Sequence, residues 1–147
     1  MFKHILIPTD GSPLSQKAAV RGVALAKALG AKVTAFFAAP PATPVTYRNS
    51  LPVGFAQPNE NAKLIKRTAE KHLAFVERAA KKARVRCNSV HVTNDYAADA
   101  ILSIPKKNKC DAIVMGTQGE GGLRGLFIGS VTQKVLNQSK IPVLVVR

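Results

Sequence analysis

Tryptophan is absent from the 147 residues, tyrosine and cysteine occur twice each, and Asp plus Glu number only eight. Each shortage excludes something. Cys87 and Cys110 stand far apart with no C-x-x-C partner, which argues against a zinc site and against the disulfide framework of a small secreted domain. Reduced thiols in a cytosol are the plain reading. No stretch approaches the roughly 18 uninterrupted apolar residues of a membrane span, and the Met1-Phe2-Lys3-His4 start leads into a strand-like run instead of a signal peptide. The expected location is therefore cytoplasmic. H-E-x-x-H and G-x-S-x-G do not occur, so zinc proteolysis and a hydrolytic triad lack support. The eight aromatic residues do not interleave with the exposed positions of the main basic segment, which leaves base stacking without a platform.

What is abundant is positive charge and apolar surface. Lys plus Arg number 22, for a formal net charge of +14, and 46% of residues are hydrophobic. That apolar fraction excludes disorder and suits one domain spanning 1–147. Half of the charge excess lies between Lys63 and Arg86, where nine basic residues face two glutamates. A solvated helix face is the ordinary reading of such a cluster, and a basic nucleic-acid-binding module is the alternative.

Short apolar runs at Ile5-Leu6-Ile7, 33–37, 90–92, 112–115 and 143–146 suit five strands, and the segments between them carry helical period. In the first helix Ala18, Gly22, Leu25, Ala26 and Leu29 share a face, and Gly30 supplies the stop. In the second, Ile65, Ala69, His72, Val76, Ala79 and Ala83 recur at steps of four and three, which makes His72 a packing residue. Asp95 is placed to cap a third helix that ends near Pro105, and a fourth starts around Ser130. Strict alternation of strand and helix demands a parallel sheet covered on both faces by right-handed crossovers. The proline-rich stretch 39–61 is expected to be a long loop or lid.

In an open parallel sheet, ligands bind beyond the carboxyl ends of the strands. Two segments arrive there: Pro8-Thr9-Asp10-Gly11-Ser12 after the first strand, and the stretch from Met115 to Ser130 after the fourth, which holds six of the ten glycines. Bare backbone N–H groups can approach phosphate closely, and a helix starting at Ser130 adds unpaired amides and a favourable dipole. Walker A is absent. The dinucleotide fingerprint G-x-G-x-x-G fails because Arg124 stands where glycine is required.

The pattern that is present, Gly116-x2-Gly119-x9-Gly129-Ser130 between a buried strand and a helix, resembles the ATP-binding branch of the universal stress protein family. The likeness continues through Ile7-Pro8-Thr9-Asp10-Gly11-Ser12, Asn94-Asp95, Asp111-Ala112-Ile113-Val114-Met115-Gly116-Thr117 and Ile141-Pro142-Val143-Leu144-Val145-Val146. It implies a Rossmann-like, adenine nucleotide alpha hydrolase-like sheet in the order 3-2-1-4-5. It implies that Gly116, Gly119, Gly129, Ser130 and Val131 hold phosphates and ribose, that Pro8, Thr9 and Asp10 line the cleft together with Met115, and that Asp10 lies near the ribose or a phosphate-bound magnesium ion. The end of the second strand would meet adenine at Ala38, where the family usually carries valine. The implied protein is an ATP-binding, stress-responsive regulator that dimerises through its C-terminal strand, 142–147. Slow ATP hydrolysis or phosphoryl transfer is the enzymatic alternative, with Asp10 and Arg124 as its thin set of residues.

Overall fold

The computed structural model describes residues 1–41, 58–118 and 127–147. The chain runs β1 (His4–Pro8), α1 (Pro13–Leu29), β2 (Lys32–Ala39), α2 (Pro58–Ala83), β3 (Cys87–Thr93), α3 (Ala97–Asn108), β4 (Ala112–Gly116), α4 (Ser130–Gln138) and β5 (Val143–Val146). The strands form one parallel sheet in the order β3-β2-β1-β4-β5. Every residue of β1 and β4 is buried, as their unbroken apolar runs require of strands covered on both faces.

The two faces have separate cores. Ile5, Ile7, Val33, Ala35 and Phe37 meet α1 and α2, while Leu6, Phe36, Ile113 and Met115 meet α3 and α4. The alternation along β1 and β2 sorts neighbouring side chains to opposite layers. Fully burying a side chain such as Ile5 or Phe36 contributes roughly 1.5–3 kcal/mol. On α2 the deepest residues are Ala69, Leu73, Val76 and Ala80, so the buried stripe is centred on Leu73 and Ala80. His72, Ala79 and Ala83 flank it.

Three departures from the sequence reading fall at helix ends. Asp95 does not cap α3: the N-cap is Tyr96, whose N–H donates to Asn94 Oδ1 at 2.8 Å, so the asparagine orders the entry from outside the helix. Helix α3 also continues through Pro105 for one more turn. The proline carbonyl then accepts the Cys110 N–H at 3.0 Å, and Lys109 closes the helix in a left-handed conformation at φ 56°. In α2, Pro58 to Asn61 are helical, where a loop was expected. The rest of the expected lid, 42–57, lies outside the described residues.

The N-terminal edge of the sheet is stapled. The Asp111 carboxylate, just before β4, accepts N–H bonds from Lys3 at 2.8 Å and His4 at 2.9 Å. Burial alone would raise this carboxyl's pKa, but those donors and its own backbone N–H outweigh it and hold the group below its ordinary 3.8. Beside it, buried His4 Nε2 meets the Thr34 hydroxyl at 2.7 Å. Burial, aided by the charge of Lys32, lowers the His4 pKa from 6.5 and keeps the ring neutral. At the other end β1 and β4 part. Their ladder is only two pairs long, Ile5 with Ala112 and Leu6 with Ile113, whereas β2 and β3 share seven. Chain order reverses between β1 and β4, and that is where a crevice must open.

Candidate functional site

A cavity of about 340 Å³ occupies this crevice. Strand β1 delivers Pro8, Thr9 and Asp10 to its wall, β2 delivers Ala38, β4 delivers Met115 and Gly116, and the start of α4 delivers Gly129, Ser130 and Val131. Nine of the ten residues singled out in the sequence thus surround one space. Gly119 lies outside the described residues, as do Glu120 and Arg124.

The turn after β1 is set by local hydrogen bonds. Ser12 caps α1 by accepting the Ser15 N–H at 3.2 Å, and Asp10 Oδ1 accepts the Ser12 N–H at 3.0 Å. Asp10 therefore does hold the turn, as its place before Gly11 allows, while also lining the cavity. Gly11 has φ +81°, and a Cβ there would sit 2.0 Å from His72 Nδ1, so the position demands glycine on both counts. The His72 ring lies against this turn and 5.0 Å from the Phe37 ring centroid.

Two hydroxyls in the cleft are consumed. Gly11 N–H donates to Thr9 Oγ1 at 3.2 Å, and the Ser15 hydroxyl donates to Ser12 O at 2.9 Å. The 3.1 Å contact between Thr9 and Ser15 must then run from the Thr9 hydroxyl to Ser15 Oγ. Neither oxygen is activated by a base, so this pair is a rigid wall and not a nucleophile.

Across the cavity, the connection into α4 is pinned at its stem. Gly129 N–H donates to Thr117 O at 2.7 Å, and the Gln118 side chain donates to Phe127 O. This changes the part given to Gly129. Its amide is committed inside the protein, and its contribution is space: a Cβ would lie 3.3 Å from Gln118 Cα and 3.4 Å from Thr117 O. Inside α4 the Thr132 hydroxyl donates to Gly116 O at 2.9 Å, tying the helix mouth to the end of β4. The first hydrogen bond of the helix is Gln133 N–H to Gly129 O. Among the described residues nothing accepts from the amides of Ser130, Val131 and Thr132, and the Ser130 hydroxyl is likewise unpaired. These donors stand at the positive end of the helix dipole.

The far wall is apolar. Phe36, Ala97 and Ile101 were not singled out in the sequence, and neither were Ser15, Gln118 and Thr132. Ala97 and Ile101 sit one turn apart on α3, a spacing that looks like ordinary core. Asp99 on the same helix pairs with Lys134 of α4 at 2.8 Å and ties the two helices at the cleft rim. The cysteines take no part. Both are free, and burial pushes their thiols upward and away from reactivity. Among the described residues no three His, Cys, Asp or Glu side chains converge on a metal position, and no helix is long and apolar enough to cross a membrane.

A doubly wound parallel sheet with a half-apolar crevice at its switch point, faced by an uncapped helix mouth, defines an open α/β protein, a class in which ligands commonly occupy that crevice. The comparisons narrow this class: the model of the universal stress protein family matches residues 1–147, and the chain belongs to that family. It is 32% identical to universal stress protein MJ0531 of Methanocaldococcus jannaschii, over all of this chain and 83% of that one. It is 33% identical to a universal stress protein of Thermus aquaticus over the full length of both. Among solved structures, UspA from Lactobacillus plantarum superposes with a TM-score of 0.77 at 20% identity, covering 99% of this chain and 97% of that one. A universal stress protein solved with cAMP superposes at 0.68 with 24% identity, covering 99% and 97%. One from Archaeoglobus fulgidus solved with dAMP does so at 0.65 with 17% identity, covering 100% and 98%.

Proposed function

We propose that this protein binds ATP in the crevice between β1 and β4 and acts as a nucleotide-dependent regulator without efficient turnover. The observation that carries the reading is the set of amides at Ser130, Val131 and Thr132 that have no acceptor among the described residues, at a cavity whose far wall is apolar. Such a mouth suits phosphate oxygens. The apolar wall at Phe36, Ala38, Ala97 and Ile101 suits a base, and two relatives of this fold were solved with adenine nucleotides. In this reading Pro8, Thr9, Met115, Gly116 and Gly119 complete the seat.

Magnesium would enter with the nucleotide. Asp10 is the one acidic side chain among the described residues lining the cavity, so the ion would be held mainly by phosphate and water oxygens, as is usual for magnesium. The ligand acts by favouring the conformation it binds best. Strand β5 is an edge of the sheet with Leu144 half exposed, and pairing of two copies along 142–147 would cover it.

Isothermal titration of the purified protein with ATP, with and without magnesium, tests the reading. Micromolar or tighter binding that is lost in Gly129→Val, with the circular dichroism spectrum retained, supports it. Absence of binding to the wild-type chain at millimolar ATP refutes it.

A further inference from the structure

The charge of this protein is distributed unequally between its two helical layers. Helices α1 and α2, on one face of the sheet, carry ten basic residues against three glutamates, while α3 and α4 on the other carry three against one. At about 100° per residue, Lys63, Arg67, Lys71, Arg78, Lys81 and Lys82 fall within a sector of roughly 100° on α2. All six are exposed. Glu60 falls in the same sector, one turn before Lys63, while Glu70 and Glu77 lie beside the stripe, where Glu70 pairs with Lys66 at 3.9 Å and Glu77 accepts the Ser89 hydroxyl of β3. Among the described residues, no carboxylate pairs with any cation of the stripe. Lys17, Arg21 and Lys27 of α1 are exposed in the same layer, and α1 contains no acid.

A face that only has to be solvated is ordinarily laced with both signs. Here Lys63, Arg67 and Lys71 follow one another at i,i+4, a like-charge spacing that destabilises the helix. Lys81 and Lys82 at least complement the negative helix end; Lys63, Arg67 and Lys71 are too far from it to benefit.

We infer that the outer face of α1 and α2 is a docking surface for the phosphate backbone of a nucleic-acid duplex. The stripe runs about 28 Å along a straight helix, matching about eight base pairs at 3.4 Å each. It offers rows of cations to rows of phosphates without reading sequence. The face lacks the features other partners would use. Among the described residues its large, well-exposed apolar side chains are Val20 and Leu64 alone, too few to anchor it in a lipid surface. Among the described residues it has no exposed aromatic on which single-stranded bases could stack, and Phe75 packs into the core of this layer. Those same missing anchors argue against a protein interface.

The test is fluorescence anisotropy with a labelled 20-base-pair duplex of arbitrary sequence, titrated with the full chain between 50 and 200 mM salt. Six phosphate contacts give a slope of about −5 in log affinity against log salt. The variant Lys63→Gln/Arg67→Gln/Lys71→Gln should lower the magnitude of that slope by about 2.7, and the charge-matched Lys106→Gln/Lys107→Gln/Lys140→Gln by less than about 1. Thermal melts accompany both, and the stripe variant should melt no lower than wild type, since it loses like-charge pairs. Equal loss in the two variants would reduce the effect to net charge and overturn the assignment. So would absent duplex binding at 50 mM salt, tighter binding to a single strand, or stripe-dependent sedimentation with phosphatidylserine vesicles but not with duplex.

Discussion

Replacing Ser130 by proline isolates a single amide of the helix mouth. Ser130 is the first residue of α4, a position where proline suits the helix and removes only an N–H that the helix does not use. The preceding residue must be extended, and Gly129 already is, at φ −61° and ψ 152°. The Gly129 N–H bond to Thr117 O and the Thr132 bond to Gly116 O are untouched by the change. Thermal stability should therefore stay close to that of Ser130→Ala, which removes the hydroxyl alone. ATP affinity should not. A hydrogen bond to a charged group contributes about 1.5–3 kcal/mol, and each 1.4 kcal/mol is tenfold, so Ser130→Pro should bind about 10- to 150-fold more weakly than Ser130→Ala. Calorimetric titration of both variants measures the ratio. Equal affinity in the two would show that the amide does not touch the ligand. A full loss already present in Ser130→Ala would transfer the role to the hydroxyl.

Other consequences concern how the cleft is held. Thr132→Val keeps the shape but leaves the Gly116 carbonyl without its donor, and should lower stability in urea by about 1–3 kcal/mol. Gly11→Ala meets both a positive φ and the His72 ring, so chemical denaturation should show a loss of about 2 kcal/mol or more, eased by the second substitution His72→Ala. Because His4 is held neutral, the unfolded chain binds its proton first, and melting temperature should fall as pH drops below 6.5; in His4→Gln the slope between pH 7 and 5 should flatten. Asp111 has the depressed pKa of a bonded carboxylate, so its contribution is present above 3.8 and disappears as pH falls through its folded value. Asp111→Ala should remove about 1–3 kcal/mol at pH 7 and weaken acid denaturation below pH 4.

The sheet was legible because buried parallel strands write themselves as unbroken apolar runs, and its order came with the family resemblance. Helix ends were harder. Pro105 reads as a terminator, yet one more turn forms because its carbonyl accepts two N–H groups from the following residues, a bond pattern invisible in composition. Of the nine sequence-predicted residues that line the cavity, glycines and strand ends mark the segments around Pro8, Gly116 and Gly129, while Ala38 came with the family resemblance. Ser15, Phe36, Ile101 and Thr132 escaped because each doubles as a helix or core residue. Ser15 alone carried a signal, standing three residues after its cap Ser12.

The two ends of the sheet differ in how they treat polar groups, and that difference supports the proposed crevice independently of any motif. At the N-terminal end, Lys3, His4, Thr34 and Asp111 are bonded to one another across β1, β2 and β4, with buried His4 Nδ1 left without a partner among the described residues. At the C-terminal end the hydroxyls of Thr9, Ser15 and Thr132 are equally consumed, but only to brace the walls. What is left over at the mouth of α4, among the described residues, is three backbone amides with the Ser130 hydroxyl beside them. Helix α3 also begins without a side-chain cap beside the cavity, at Ala97, so two helix mouths bring open amides toward the crevice, and phosphate oxygens suit such donors by both charge and number. The basic face of α1 and α2 follows the same logic with ions. Its Glu70 and Glu77 are engaged to the side, and most of its cations remain for a partner that carries phosphates in a row.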